Sequence, residues 1–210
     1  MKKKFLKNFR IYVAGHNGMV GRAVIRHLKK EGVKKIIFAD RKKLNLLNST
    51  HLEKFIRLKK PDIIINCAGK VGGILANSSY PVEFINENIF IQLNLINLAY
   101  KHKIKHFINL GSSCIYPKNS KQPIKEQYLL SNKLEKTNEA YALAKIVGLK
   151  VCEFYNLQYK TNFFTLMPCN LYGPYDNFNS KNSHFIPALI KKFIDAKRRK
   201  KNIVEIWGSG

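Results

Sequence analysis

Ile11-Tyr-Val-Ala-Gly15-His-Asn-Gly18-Met-Val-Gly21 runs from an apolar tetrapeptide through three evenly spaced glycines into a helix-like pattern. Ile11–Ala14 suits a short buried strand, Met19–Glu31 has helical periodicity, and Gly32 is placed to cap that helix. Glycines in the intervening turn let the backbone bend tightly and come close to a pyrophosphate. The helix N-terminus then offers free N–H groups and a partial positive charge. The stretch therefore predicts a dinucleotide cradle formed by Gly15, His16, Asn17, Gly18, Met19, Val20 and Gly21.

Strand and helix signals continue to alternate downstream. Strands are expected at Lys35–Ala39, Asp62–Ala68, His106–Leu110, Asn162–Met167 and Ile203–Trp207, with a brief extended piece around Leu44–Leu47. Helices are expected at Ser49–Lys59, Pro81–His102, Asn138–Tyr159 and Phe185–Arg199. Asp62–Ala68 is nearly all apolar, as in a parallel strand buried on both faces. The expected fold is α/β, a Rossmann-type doubly wound parallel sheet over residues 1–170, with the beginning of a smaller, truncated substrate-binding domain in 171–210. The chain stops on Trp-Gly-Ser-Gly210, a turn with no element after it, so a fragment or truncated product is expected.

At 210 residues, 45% hydrophobic, the chain has enough apolar material for one well-buried domain. No apolar run is long enough to span a bilayer, and Ile11–Ala14 is too short for the core of a signal peptide, so a cytoplasmic protein is expected. Its 4 cysteines, at 67, 114, 152 and 169, form no C-x-x-C pair, and reduced thiols are expected; all but Cys114 read as core residues. His102 and His106 flank a strand start, a poor metal site, so no metal is expected. The formal charge of +25 is spread over many segments, without a basic-aromatic recognition motif. That distribution suits solvated faces that attract a dinucleotide or sugar nucleotide, not a dedicated nucleic-acid surface.

Two further features carry chemistry. The second strand ends in Asp40-Arg41: the acid suits the 2′-hydroxyl of NAD and the arginine the 2′-phosphate of NADP, with Arg41, Lys42 and Lys43 tipping the balance to NADP. Tyr141-Ala-Leu-Ala-Lys145 places a phenol and an ammonium on one helix face, where the cation is expected to lower the tyrosine pKa toward neutrality. A Y-x-x-x-K pair arises by chance in a chain with 10 tyrosines and so many lysines. What lifts it is Ser112, in the G-S-S that ends the preceding strand, which can bond the same substrate oxygen as Tyr141.

Seven stretches in order, A-G-H-N-G-M-V-G (14–21), A-G-K-V-G-G-I (68–74), L-G-S-S-C-I-Y-P (110–117), N-E-A-Y-A-L-A-K (138–145), N-L-Y-G-P-Y-D-N-F (170–178), N-S-H-F-I-P-A-L (182–189) and W-G-S-G (207–210), cover essentially the whole chain. In these the chain resembles the extended short-chain dehydrogenases/reductases and, within them, the GDP-L-fucose synthase family of GDP-4-keto-6-deoxy-D-mannose 3,5-epimerase/4-reductases. The resemblance implies NADP(H) as cofactor, a homodimer, and epimerisation at C3 and C5 followed by reduction at C4. It assigns Cys114 as the base and His184 as the acid of epimerisation, and Ser112, Tyr141 and Lys145 to reduction. Ala68, Lys70, Leu110, Gly111, Pro168, Asn170, Leu171 and His184 join the glycine loop and Arg41 around the cofactor, with Asn170, Lys192 and Trp207 at the nucleotide sugar.

Asn17 and Lys192 stand where the family often carries arginine, and Cys169 where threonine is usual. A dehydratase of the same fold would need an Asp-Glu pair where this chain has Cys114-Ile115, and a simple 4-epimerase would leave Cys114 and His184 without a task. A non-catalytic NADP-binding module is the alternative from another class.

Overall fold

The computed structural model describes residues 6–179 and 183–206, and its five strands form one sheet in the order β2-β1-β3-β4-β5. These are β1 (Arg10–Ala14), β2 (Lys35–Ile37), β3 (Ile63–Asn66), β4 (His106–Leu110) and β5 (Phe163–Leu166), and every pairing is parallel. Helices α1 (Met19–Lys30), α2 (Ser49–Lys59), α3 (Ile74–Ser79), α4 (Pro81–Lys101), α5 (Glu139–Tyr159) and α6 (Phe185–Arg198) complete the order.

The period-2 geometry of β1 sends Tyr12 and Ala14 into one core and Ile11 and Val13 into another. The first core lies under α2, α4 and α5 and holds Leu52, Ile56, Leu95, Ile96, Phe107, Cys152 and Phe163. The second lies under α1 and holds Leu28, Val33 and Ile63. Both faces of the central strands are thus covered, which is why their sequences are apolar without alternation. Strand order reverses between β1 and β3, and the crevice at the carboxyl ends of strands beside such a switch point is where ligands bind in open α/β sheets. Gly15, after β1, and Ala68, after β3, meet there.

Several expectations are corrected. The second strand ends at Ile37, not Ala39, and Phe38 is 50% exposed. Residues 44–47 form no strand, and 46–47 turn where the Asn45 side chain accepts from the Leu47 N–H (3.1 Å). α3 was not legible in its short, mixed sequence. Residues 203–206 of the expected last strand are irregular, with Ile203 85% exposed; the remainder, Trp207, lies outside the described residues. The thiols are free, but only Cys152 of the expected core cysteines is buried; Cys67 is half-buried and Cys169 is exposed, on the loop after β5. Among the described residues no helix is long and apolar enough to cross a membrane.

Candidate active site

Two glycines shape the cradle for different reasons. Gly15 has φ +76°, and a Cβ there would lie 2.5 Å from the Ala68 nitrogen, so only glycine lets β1 and β3 hand over to their loops at this spacing. Gly18 has an ordinary φ of −71°, and a Cβ on it would meet only the Gly15 carbonyl at 3.5 Å. Nothing in the protein excludes a side chain at Gly18; it would simply fill the space before the N-terminus of α1. No side chain caps that helix, so its first N–H groups point into that space. A cradle that a Cβ would fill, at a switch point, fits the pyrophosphate of a dinucleotide. His16 stacks on Phe38 (4.8 Å), and Met19 and Val20 begin α1.

In the loop after β2, Asp40 and Arg41 part company. The Asp40 carboxylate accepts from the Asn17 amide (2.6 Å) and lies 3.4 Å from His16 Nε2. Arg41 is largely exposed and reaches Glu87 of α4 at 3.6 Å. Lys70 pairs with the same Glu87 at 2.9 Å, while its backbone N–H donates to Asn88 Oδ1 (3.0 Å).

Ser112, Tyr141 and Lys145 converge. Gly111 is buried and donates its N–H to Leu166 of β5 (2.8 Å), which fixes the loop after β4, and the Ser113 N–H donates to Pro168 (3.3 Å). Ser112 Oγ accepts from the Cys114 N–H (3.3 Å), and the Ser112 hydroxyl also meets the Tyr141 phenol. One turn along α5, Lys145 is 4% exposed and donates from Nζ to the Leu110 carbonyl (2.8 Å), with Nζ 5.5 Å from the Tyr141 ring centroid.

The electrostatics correct the expected direction. Burial pushes Tyr141 up to about 12, reinforced by the Cys114 charge and opposed by the Ser112 hydrogen bond. Burial pulls Lys145 down to about 8, against the charges of Cys67 and Cys114. Desolvation of the buried phenolate dominates, and the Lys145 ammonium, bonded to the Leu110 carbonyl, does not reverse it. A phenol held protonated at neutral pH is the form that donates a proton to a ketone.

Cys114 sits in the short turn Ser113–Ile115, half-buried and within electrostatic reach of both Tyr141 and Lys145. His184 does not join them: it is exposed at the N-cap of α6, and among the described residues its ring has no hydrogen-bond or ion-pair partner. Asn170 and Leu171 are exposed in the loop after β5. Lys192 Nζ, on α6, donates to the Glu205 carbonyl (2.9 Å). Trp207 lies outside the described residues.

The sequence matches the NAD dependent epimerase/dehydratase family over residues 11–210. The chain belongs to that family. It is 48% identical, over its whole length, to a GDP-L-fucose synthase of Sinorhizobium fredii, covering 67% of that protein. It is 47% identical over 201 residues to the GDP-L-fucose synthase of Escherichia coli, covering 96% of this chain and 63% of the relative. The structure resembles a GDP-L-fucose synthetase from Naegleria fowleri bound to NADP, with TM-score 0.88 and 30% identity over 97% of this chain and 67% of the other. The chain spans about two thirds of the length of these relatives.

In this epimerase/dehydratase family member the site also rests on residues that sequence reasoning missed. Asn66, Asn88, Gln92 and Asn109 are all at most 1% exposed, and their amides bond one another or backbone groups of the site loops. A faint signal was present: Asn66 and Asn109 are amides set among apolar residues of two strands, at the same register across the β3–β4 pair.

Proposed function

We propose that the protein binds NADP(H) and converts GDP-4-keto-6-deoxy-D-mannose to GDP-L-fucose, epimerising C3 and C5 and then reducing the C4 ketone. The observation that carries this reading is the convergence of Ser112, Cys114, Tyr141 and Lys145 within electrostatic and hydrogen-bond reach of one another. A protonated tyrosine, a serine hydroxyl and a buried lysine suit carbonyl reduction. A thiol two residues from that serine adds a base beside the same carbonyl, which acidifies the neighbouring C–H bonds.

Gly15 to Gly21, Ala68, Lys70, Leu110, Gly111, Pro168, Asn170, Leu171 and His184 are the residues to hold the dinucleotide, with Arg41 toward a 2′-phosphate. When bound, NADPH supplies hydride to C4. Tyr141 gives its proton to the C4 oxygen as charge develops there, Ser112 orients that oxygen, and Lys145 stabilises the tyrosinate left behind. Before reduction, Cys114 removes the proton next to the carbonyl while Ser112 polarises that carbonyl, and His184 returns a proton from the opposite face. Asn170, Lys192 and Trp207 are assigned to the nucleotide sugar, so residues 171–210 begin the sugar-nucleotide half and 1–170 form the cofactor half. The free thiols suit a reducing compartment such as the cytoplasm, and the high positive charge suits anionic substrates.

The exposed position of His184 favours a narrower second reading, C4 reduction without epimerisation. One incubation with NADPH and GDP-4-keto-6-deoxy-D-mannose in deuterated water separates them. NADPH oxidation with deuterium at C3 and C5 supports the full reaction, and oxidation without deuterium supports reduction alone. No oxidation and no exchange would sink both.

A further inference from the structure

The buried amides form a directed chain. The Ala68 N–H, under Gly15, donates to Asn66 Oδ1 (3.1 Å); Asn66 Nδ2 donates to Asn109 Oδ1 (3.0 Å); Asn109 Nδ2 donates to Gln92 Oε1 (3.0 Å). Gln92 Nε2 then donates to two carbonyls, Asn88 on its own helix and Ala144 on α5, both at 2.9 Å. A backbone donor fixes one end and backbone acceptors fix the other, so every amide has one orientation and none can flip without orphaning its neighbours.

Both ends touch the site. Ala68 packs against the glycine that turns the cradle, and Ala144 is the residue before Lys145 and three after Tyr141. Asn109 precedes Leu110, whose carbonyl receives the Lys145 ammonium. α5 makes room for the chain at Gly148, where a Cβ would lie 2.1 Å from Gln92 Oε1 and 2.9 Å from Asn109 Nδ2. An apolar side chain at Gln92 would satisfy packing between α4 and α5, but it would leave α5 free to slide or rotate against β4. A hydrogen-bonded link to a single carbonyl does not permit that, because it specifies one register.

We propose that Asn66, Asn109 and Gln92 are positioning residues that lock the register of α5 on the sheet, and thereby hold Lys145 where it meets the nicotinamide ribose of the cofactor. This rests on the NADP(H) reading above. The test is calorimetric binding of two probes: NADPH, and adenosine 2′,5′-bisphosphate, which lacks the nicotinamide half. The unaltered chain is expected to bind NADPH more tightly than the bisphosphate, and Lys145→Ala to remove much of that advantage. Gln92→Met, similar in shape but without the amide's donors and acceptor, is expected to weaken NADPH about tenfold. The bisphosphate should bind unchanged within about twofold. Gly148→Ala pushes the Gln92 amide aside while removing no polar group; it is expected to act the same way and carries the test if Gln92→Met does not fold. Equal weakening of both probes, or no change in either, overturns the proposal, since a purely structural role does not distinguish the two halves of the cofactor. If the unaltered chain binds neither probe, the dinucleotide reading itself fails. If Lys145→Ala changes nothing, the role of Lys145 fails, and in both cases the positioning proposal fails with it.

Discussion

Two helices carry the proposed chemistry, and they are built differently. α5 bears Tyr141 and Lys145, buries Ala142, Ala144, Lys145, Ile146, Gly148 and Cys152, and is tied to the sheet through Gln92. α6 bears Lys192 and begins at His184, yet only Pro187 is buried, while Phe185, Ile190, Phe193 and Ile194 are each at least 43% exposed. Reduction thus rests on a preorganised scaffold. The acid assigned to epimerisation stands on an element whose apolar face is largely uncovered within the described residues. A catalytic group is only as well placed as the shell that supports it, so the two halves of one reaction are expected to respond differently to perturbation.

The sharpest probe of this contrast is Tyr141→Phe. It is expected to lower NADPH oxidation by about 10²–10⁴-fold, the usual worth of a positioned proton donor, while deuterium still enters C3 and C5. Loss of both activities together would mean that the two halves are not separable. Conversely, Cys114→Ser and His184→Gln should each lower deuterium incorporation by roughly 10²-fold or more, and Cys114→Ser should leave cofactor binding intact. Normal exchange in His184→Gln would remove α6 from the chemistry.

Stability sharpens the comparison without any substrate. Ile146→Ala, at a position 6% exposed on α5, should cost about 2–4 kcal/mol in denaturant unfolding. Ile194→Ala, 45% exposed on α6, should cost about 0.5 kcal/mol or less. An equal cost at the two sites would show that another surface covers α6 in solution.

The buried lysine gives a pH signature. Its folded pKa, about 8, lies below the ordinary 10.5, so between those values the unfolded chain binds a proton that the folded chain does not. Stability from this group therefore rises as pH climbs through that window, and the cost of burying the charge is full below pH 8. Lys145→Met should abolish that rise and add about 1–3 kcal/mol of stability at neutral pH, at the expense of activity. Tyr141 acts oppositely in a separate window: its folded pKa of about 12 against 10 means that stability falls as pH rises between them. An unchanged stability profile in Lys145→Met would mean that the ammonium is better solvated than its burial indicates.

Much of this was open to reading in one dimension. The strand–glycine–helix unit at residues 11–31, the apolar run at 62–68 and the helix at 138–159 identify themselves because local periodicity and turn chemistry are short-range properties. The neighbourhood of Ser112, Tyr141 and Lys145 was also legible, since a helix fixes the i, i+4 pair and a strand end fixes the serine. Three things were not. The direction of the Tyr141 shift depends on how deeply the phenol is buried, and that is set by what packs around it from other elements. The roles of Asn66, Asn109 and Gln92 depend on partners far apart in the chain, and an isolated amide in an apolar run carries no pattern. The exposure of His184 and Cys169 depends on what packs over them, which no motif encodes. Local sequence therefore determined which elements form and which reactive side chains they carry. The tertiary structure alone decided which of those groups meet, which lie buried and in which protonation state, because desolvation and hydrogen bonding act through space between residues that the chain keeps apart.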